Sequence, residues 1–120
     1  MMKRRILVIE DDPALAAMYQ TALSFAGFDV TLCGDGLTAL EEIDEQHPDL
    51  VVLDLRLPQL DGAAILREVA ATPDTQHIPI IVVTGGDAQG VPGAASVLQK
   101  PCDPALLVAA VERRFERAAA

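Results

Sequence analysis

Glu10 and Asp11 follow directly on a short apolar run, Asp54 closes a second, Thr84 a third, and Lys100 stands just after a fourth. If those runs lie side by side, three carboxylates, a hydroxyl and an ammonium meet in one crevice. Carboxylates held within a few ångströms of one another repel, and the repulsion is relieved either by a proton or by a cation among them. An all-oxygen ligand set with open positions suits Mg²⁺, which keeps several waters and shares its shell with phosphate oxygens. Lys100 adds a positive point charge and Thr84 a hydroxyl donor. Such a pocket is suited to stabilising a phosphoryl group. A carboxylate placed between the cation and the lysine can be the nucleophile that receives it, and Asp54 is the candidate.

The elements that must position these groups repeat one pattern: apolar strand, turn, amphipathic helix. Residues 5–9 form an unbroken apolar run after Arg5, as expected of a strand covered on both faces. Asp12-Pro13 then reads as an N-cap before a proline at the first helical position. A helix follows with Leu15, Met18, Tyr19, Ala22 and Leu23 as its inward stripe, ending at Gly27. The pattern further predicts a weaker strand over 28–32. A second helix covers 37–46, with Leu37, Leu40 and Ile43 inward, and is stopped by His47-Pro48. A third strand spans 50–53 and ends at Asp54. The third helix covers 62–71, with Ile65, Leu66 and Val69 inward. Strands follow over 78–83 and around Val97-Leu98. A last helix after Asp103-Pro104 carries Leu107, Val111 and Phe115 on one face. Strands alternating with helices imply parallel pairing through right-handed crossovers. The expected fold is therefore α/β, a doubly wound five-stranded parallel sheet. In open sheets of this kind sites lie beyond the carboxyl ends of the strands.

Composition narrows the functions further. The chain has 120 residues, 51% of them hydrophobic, which fits one domain with a real core. A formal charge of −9 and only 3% aromatic residues argue against nucleic-acid binding through this domain. No apolar run approaches the roughly 20 residues a bilayer requires, and the stretch after the basic start is too short for a signal peptide. Cys33 and Cys102 have no paired-ligand spacing and read as reduced thiols of a cytoplasmic protein. No His or Cys cluster supports zinc, and no Gly-Lys-Ser/Thr marks a nucleotide loop. His47 and His77 sit beside prolines and read as solvated; Glu41, Glu42 and Glu45 read as a solvated helix face, and Asp61-Gly62 as a turn and helix start.

The ordered set of motifs resembles response-regulator receiver domains of the chemotaxis-regulator kind. Its carriers are residues 6–13 (ILVIEDDP), 48–62 (PDLVVLDLRLPQLDG), 80–85 (IIVVTG) and Lys100-Pro101. Each is weak alone, but in this order at these strand ends they are specific. The resemblance runs from about Arg5 to Phe115, and the chain reads as a single receiver domain over 1–120 with a flavodoxin-like fold. It implies that Asp54 is the phosphoacceptor, charged from a partner histidine kinase or histidine phosphotransfer protein. It implies a Mg²⁺ shell from Glu10 (through water), Asp11, Asp54 and the backbone carbonyl of Arg56, with Thr84 and Lys100 on phosphoryl oxygens. The Lys100–Pro101 bond is expected to be cis. The domain would be a regulatory phosphoacceptor rather than a turnover enzyme. It would switch an unknown downstream protein or output domain, with phosphate-driven homodimers among the assemblies to test.

Two departures from that pattern stand out. Three residues before Lys100, where the family usually carries an aromatic switch residue, there is Val97. Only sixteen positions separate Thr84 from Lys100, and residues 85–93 are glycine-rich with a proline. Glycine costs about 1 kcal/mol and proline about 3 kcal/mol in a helix interior, so the fourth helix is expected to be missing or cut to a turn. A glycine loop there could order when Thr84 engages a phosphate. These departures keep a second reading open, a pseudo-receiver acting as a phosphate-independent interaction module. A dehalogenase-type phosphatase is disfavoured because Arg56 stands where that chemistry needs a second acid. A flavin carrier is disfavoured because Glu10-Asp11-Asp12 would face an anionic phosphate.

Overall fold

Burial explains the strands. In the computed structural model, which describes residues 3–86 and 91–119, the three inner strands are apolar except for Arg5, Asp54 and Thr84 at their ends, and almost wholly covered. They are β1 (Arg5–Ile9), β3 (Leu50–Asp54) and β4 (Ile80–Thr84). The edges, β2 (Asp29–Cys33) and β5 (Ser96–Gln99), are more open. All five pair in parallel in the order β2-β1-β3-β4-β5, which puts β3 in the centre.

Alternation along each strand supplies two cores. Leu7, Ile9, Val51, Leu53 and Val82 face α2 (Gly36–Gln46) and α3 (Gly62–Ala71), where they meet Ala39, Ile43, Ile65, Leu66 and Val69. Ile6, Val8, Leu50, Val52, Ile81 and Val83 face α1 (Pro13–Phe25) and α4 (Pro104–Ala119), where they meet Tyr19, Leu23, Leu107, Val111 and Phe115. Each valine, leucine, isoleucine or phenylalanine among them contributes roughly 1.5–3 kcal/mol when fully buried. Aspartates start the helices. Asp12 accepts from the N–H groups of Ala14 and Leu15, Asp35 from Thr38, Asp61 from Ala64 and Asp103 from Ala105. Caps of this kind are worth about 1 kcal/mol each.

Several expectations are corrected. Met18 is 44% exposed; the inward stripe is Ala16, Tyr19 and Leu23, because the bulky Tyr19 takes the place against the sheet and turns Met18 toward α4. Leu37 is 52% exposed, since Gly36 presses against Leu60 and aims Ala39 and Ile43 inward instead. Strand β2 begins one residue later than expected. Strand β4 begins at Ile80: Ile78 donates to the Thr75 carbonyl and Pro79 has no N–H to give, so both belong to a turn. Ile78 is buried all the same.

Between β4 and β5 there is no helix among the described residues. Residues 91–94 make a turn closed by Ala94 N–H to the Val91 carbonyl, with Gly93 at φ 89°. Val91 and Ala94 pack on the α3 side of the core. The part of the expected glycine loop at residues 87–90 lies outside the described residues. No described helix is long and apolar enough to cross a membrane.

Candidate functional site

Parallel pairing brings the carboxyl ends of β1, β3, β4 and β5 to one rim. Glu10 follows β1, with its N–H bound to the Cys33 carbonyl of β2. Asp54 ends the central strand and Thr84 ends β4. All three are buried, at 4%, 6% and 3% exposure, whereas Asp11 stands open to solvent. One carboxylate oxygen from each of Glu10, Asp11 and Asp54 lies within 4.8 Å of the others.

Lys100 is placed by the sheet. Its N–H donates to the Thr84 carbonyl at 2.8 Å, and the Lys100–Pro101 peptide is cis, as expected. Its Nζ bridges two carboxylates, Glu10 Oε1 at 2.9 Å and Asp54 Oδ2 at 3.1 Å. The other Asp54 oxygen accepts the Arg56 N–H at 3.0 Å. Glu10 Oε2 accepts from Asp12 N–H, and Thr84 Oγ1 accepts from Gly86 N–H. The site residues expected from the sequence thus gather at one rim. Arg56 is present there through its backbone N–H, and its guanidinium reaches over toward Gly86.

Electrostatics follow from this geometry. Burial raises the Glu10 carboxyl above its ordinary 4.5; Lys100 and the Asp12 N–H pull it down, and Asp54 pushes it up again. Burial alone would lower Lys100, but its bonds to Glu10 and Asp54 outweigh that and hold it above 10.5. With all three acids ionised, one ammonium answers three negative charges. The deficit of two matches a divalent cation, and a purely oxygen donor set with one solvent-facing member suits a hard ion that retains water. The residues present therefore fit Mg²⁺.

Two features were not foreseen. Gly62 lets α3 start against the end of β3: a Cβ there would lie 2.6 Å from Leu55 Cα and 2.8 Å from the Asp54 carbonyl oxygen. The only sequence signal is the Asp61-Gly62 pair, which also reads as an ordinary turn. The second is Tyr19, whose hydroxyl is buried without a hydrogen-bond partner among the described residues and whose phenol is raised by burial and by nearby Cys102. An apolar helix stripe hides such a polar tip.

A doubly wound sheet with a carboxylate trio and a lysine at the carboxyl rim of its central strands defines a class, the aspartate-centred signalling domains of flavodoxin-like fold. Comparison with known proteins makes this specific. The chain belongs to the response regulator receiver domain family, whose sequence model matches residues 6–112. It is 40% identical to the DNA-binding response regulator MtrA of Mycolicibacterium smegmatis over 122 aligned positions, covering 97% of this chain and 52% of that protein. Against the response regulator PleD of Caulobacter vibrioides it is 34% identical, covering 92% of this chain and 26% of that protein. The chain thus spans about half or less of the length of these relatives. Among solved structures, the receiver domain of a sensor histidine kinase from Pseudomonas aeruginosa PAO1 superposes with a TM-score of 0.86. The two are 32% identical, and the match covers 93% of this chain and 97% of the other. That structure holds a magnesium ion coordinated in its active site cleft.

Proposed function

We propose that this domain, read as a single receiver over 1–120, takes a phosphoryl group onto Asp54 from a phosphohistidine of a histidine kinase or phosphotransfer protein. One observation carries the reading: Asp54 is buried at the end of the central strand with one oxygen on Arg56 N–H, the other on Lys100, and two further carboxylates within 4.8 Å. In the step, an Asp54 oxygen attacks phosphorus in line while the phosphorus–nitrogen bond breaks and its electron pair leaves on the imidazole. Lys100, released from Asp54 Oδ2 as that charge is spent, turns to a phosphoryl oxygen. The Thr84 hydroxyl, which accepts from Gly86, still has its own proton to donate to another. Glu10, Asp11, Asp54 and the Arg56 carbonyl would hold Mg²⁺, which neutralises charge on the phosphoryl oxygens. Slow hydrolysis returns Asp54 to its free state. The domain is a regulatory module of the cytoplasm, where its thiols stay reduced, and its output is a downstream protein or domain.

A phosphate-independent module is not favoured. Burying Glu10 and Asp54 beside one lysine is costly unless the charges are used. The test is incubation of the protein with a small phosphodonor and Mg²⁺, read by intact mass. A gain of one phosphoryl group that Asp54→Asn abolishes supports the reading; no gain, or a gain that survives the substitution, refutes it.

A further inference from the structure

The basic residues of this acidic chain are not scattered. Six of its nine lysines and arginines are Lys3, Arg4, Arg5, Arg113, Arg114 and Arg117. They lie just before or at the start of β1 and in the second half of α4. Because the strands are parallel, that is the pole opposite the carboxylates. Among the described residues every salt bridge is made by Lys100. Among the described residues no carboxylate forms a salt bridge with any of these arginines, although the chain has eighteen acids.

A cavity of about 230 Å³ opens at this pole. It is lined by Arg4, His47, Asp49, His77, Arg114 and Phe115, together with two prolines. Both histidines of the chain are therefore in it. The walls are fixed by contacts that leave the donors free. Arg4 stacks over the Phe115 ring with its guanidinium carbon 4.3 Å from the centroid, which uses the face of the fork and none of its N–H groups. His47 is held at φ 46° as the cap of α2; its N–H goes to the Ile43 carbonyl and its own carbonyl accepts from the Arg5 side chain at 2.7 Å. The imidazole is thus presented on a backbone pinned from both sides. Asp49, the one acid in the wall, is occupied by the Arg5 backbone N–H at 2.7 Å. Glu112 and Glu116 line a neighbouring groove with Arg4 instead.

We propose that this pocket is an anion site that binds a single phosphate group, free or as a phosphomonoester. Two guanidiniums and two imidazoles give forked and single N–H donors from four segments of chain. Arg4 and Arg114 set two fixed positive charges against the single negative charge of Asp49, an excess that favours an anion, and donors from four segments suit the several oxygens of a phosphate. The volume falls below the roughly 300–1,000 Å³ of pockets that enclose whole small molecules, so the site takes one anionic group and leaves the remainder of a larger ligand outside. Zinc is not the ligand: among the described residues no such cluster forms from His47, Asp49 and His77.

The test is an NMR titration of the full chain in EDTA at about pH 7.5, where phosphate is largely dianionic. Sodium phosphate is compared with sodium chloride and sodium acetate at matched ionic strength, and glycerol phosphate serves as the monoester. Saturable shifts of the His47 and His77 imidazole and Phe115 ring signals with phosphate, but not with chloride or acetate, are expected. A matching response to glycerol phosphate assigns the site to monoesters, and a response to inorganic phosphate alone assigns it to the free ion. Arg114→Gln, with its spectrum still dispersed, weakens binding about tenfold or more, the loss of one charge-assisted contact. Should that variant fail to fold, His77→Ala at an exposed turn position takes its place. Equal shifts with chloride, shifts confined to Thr84 and Lys100, or unchanged affinity in the variant overturn the proposal. Asp54→Asn keeps the full phosphate response at this pole, so its outcome is separate from that of the phosphorylation assay.

Discussion

Replacing Asp54 by Asn should make the metal-free protein more stable, even though it removes a hydrogen-bonded residue from the core rim. Asp54 repels Glu10 across at most 4.8 Å, worth about 3.5 kcal/mol at an effective dielectric of 20. Repulsion from Asp11 is smaller, because that residue is exposed and screened. Against these stands the attraction to Lys100 at 3.1 Å, about 5 kcal/mol on the same scale. The Coulomb terms nearly cancel. What remains is the desolvation of a carboxylate that is only 6% exposed, several kcal/mol before its hydrogen bonds are counted. Asn keeps the shape and its single acceptor oxygen can still take the Arg56 N–H; its amide nitrogen cannot accept from Lys100, which retains Glu10 at 2.9 Å. The expected gain is about 2 kcal/mol, or on the order of 8 °C in Tm for a domain of this size. Thermal unfolding followed by circular dichroism in EDTA measures it. Adding Mg²⁺ should reverse the ranking: the wild type gains about 2.7 kcal/mol at a hundredfold excess over Kd, and the variant gains less. A variant that melts at or below the wild type in EDTA, or that gains as much from Mg²⁺, refutes the reasoning.

Gly62→Ala should destabilise the fold by about 2 kcal/mol or more, because the new methyl meets backbone of β3's last residue and of Leu55 rather than movable side chains. Chemical denaturation checks this, and a loss below 0.5 kcal/mol would show that the β3–α3 turn can give way. The thiols offer a pH test. Burial raises Cys33 above its ordinary 9.0, and burial with Asp103 nearby raises Cys102. The native state then keeps thiol protons that the unfolded chain releases, so stability falls as pH climbs past about 9. At pH 8 both should alkylate more slowly than a free cysteine; faster reaction at either refutes the raised thiols.

Most of the fold was legible because each inner strand is an apolar run bounded by polar residues, and Asp12-Pro13, Asp61-Gly62 and Asp103-Pro104 mark helix starts. Asp12, Asp61 and Asp103 cap where the sequence pointed to helix starts, whereas Asp35, which caps α2, was not anticipated. The site was legible for a related reason, since a carboxylate at the end of a buried strand has few other uses. What the sequence concealed depends on how elements approach one another. Met18 and Leu37 belong to apolar stripes wide enough to be read two ways, and only the packing of Tyr19 and of Gly36 decides which flank faces the sheet. The double bond of Lys100, to Glu10 as well as Asp54, needs the register of β4 against β5 and could not be read from spacing alone. The basic pole was hidden by arithmetic: a net charge of −9 says nothing about where the nine positive charges lie.

That register also bears on how a signal leaves the site. Val97, where an aromatic ring was the family expectation, is half-buried on the α3 side of the core beside Val91 and Ala94. No ring there can swing between inward and outward positions. Thr84 nevertheless touches two segments at once: its carbonyl accepts Lys100 N–H at 2.8 Å and its hydroxyl accepts Gly86 N–H at 3.2 Å. A hydroxyl can accept one bond and donate another, so a phosphoryl oxygen drawing on its proton need not release Gly86. On the proposed function, Thr84 would then carry Gly86 with it as it turns. On that same reading, the packing of Val91, Ala94 and Val97 on the α3 side of the core is the contact expected to differ between the two states, in place of the absent ring.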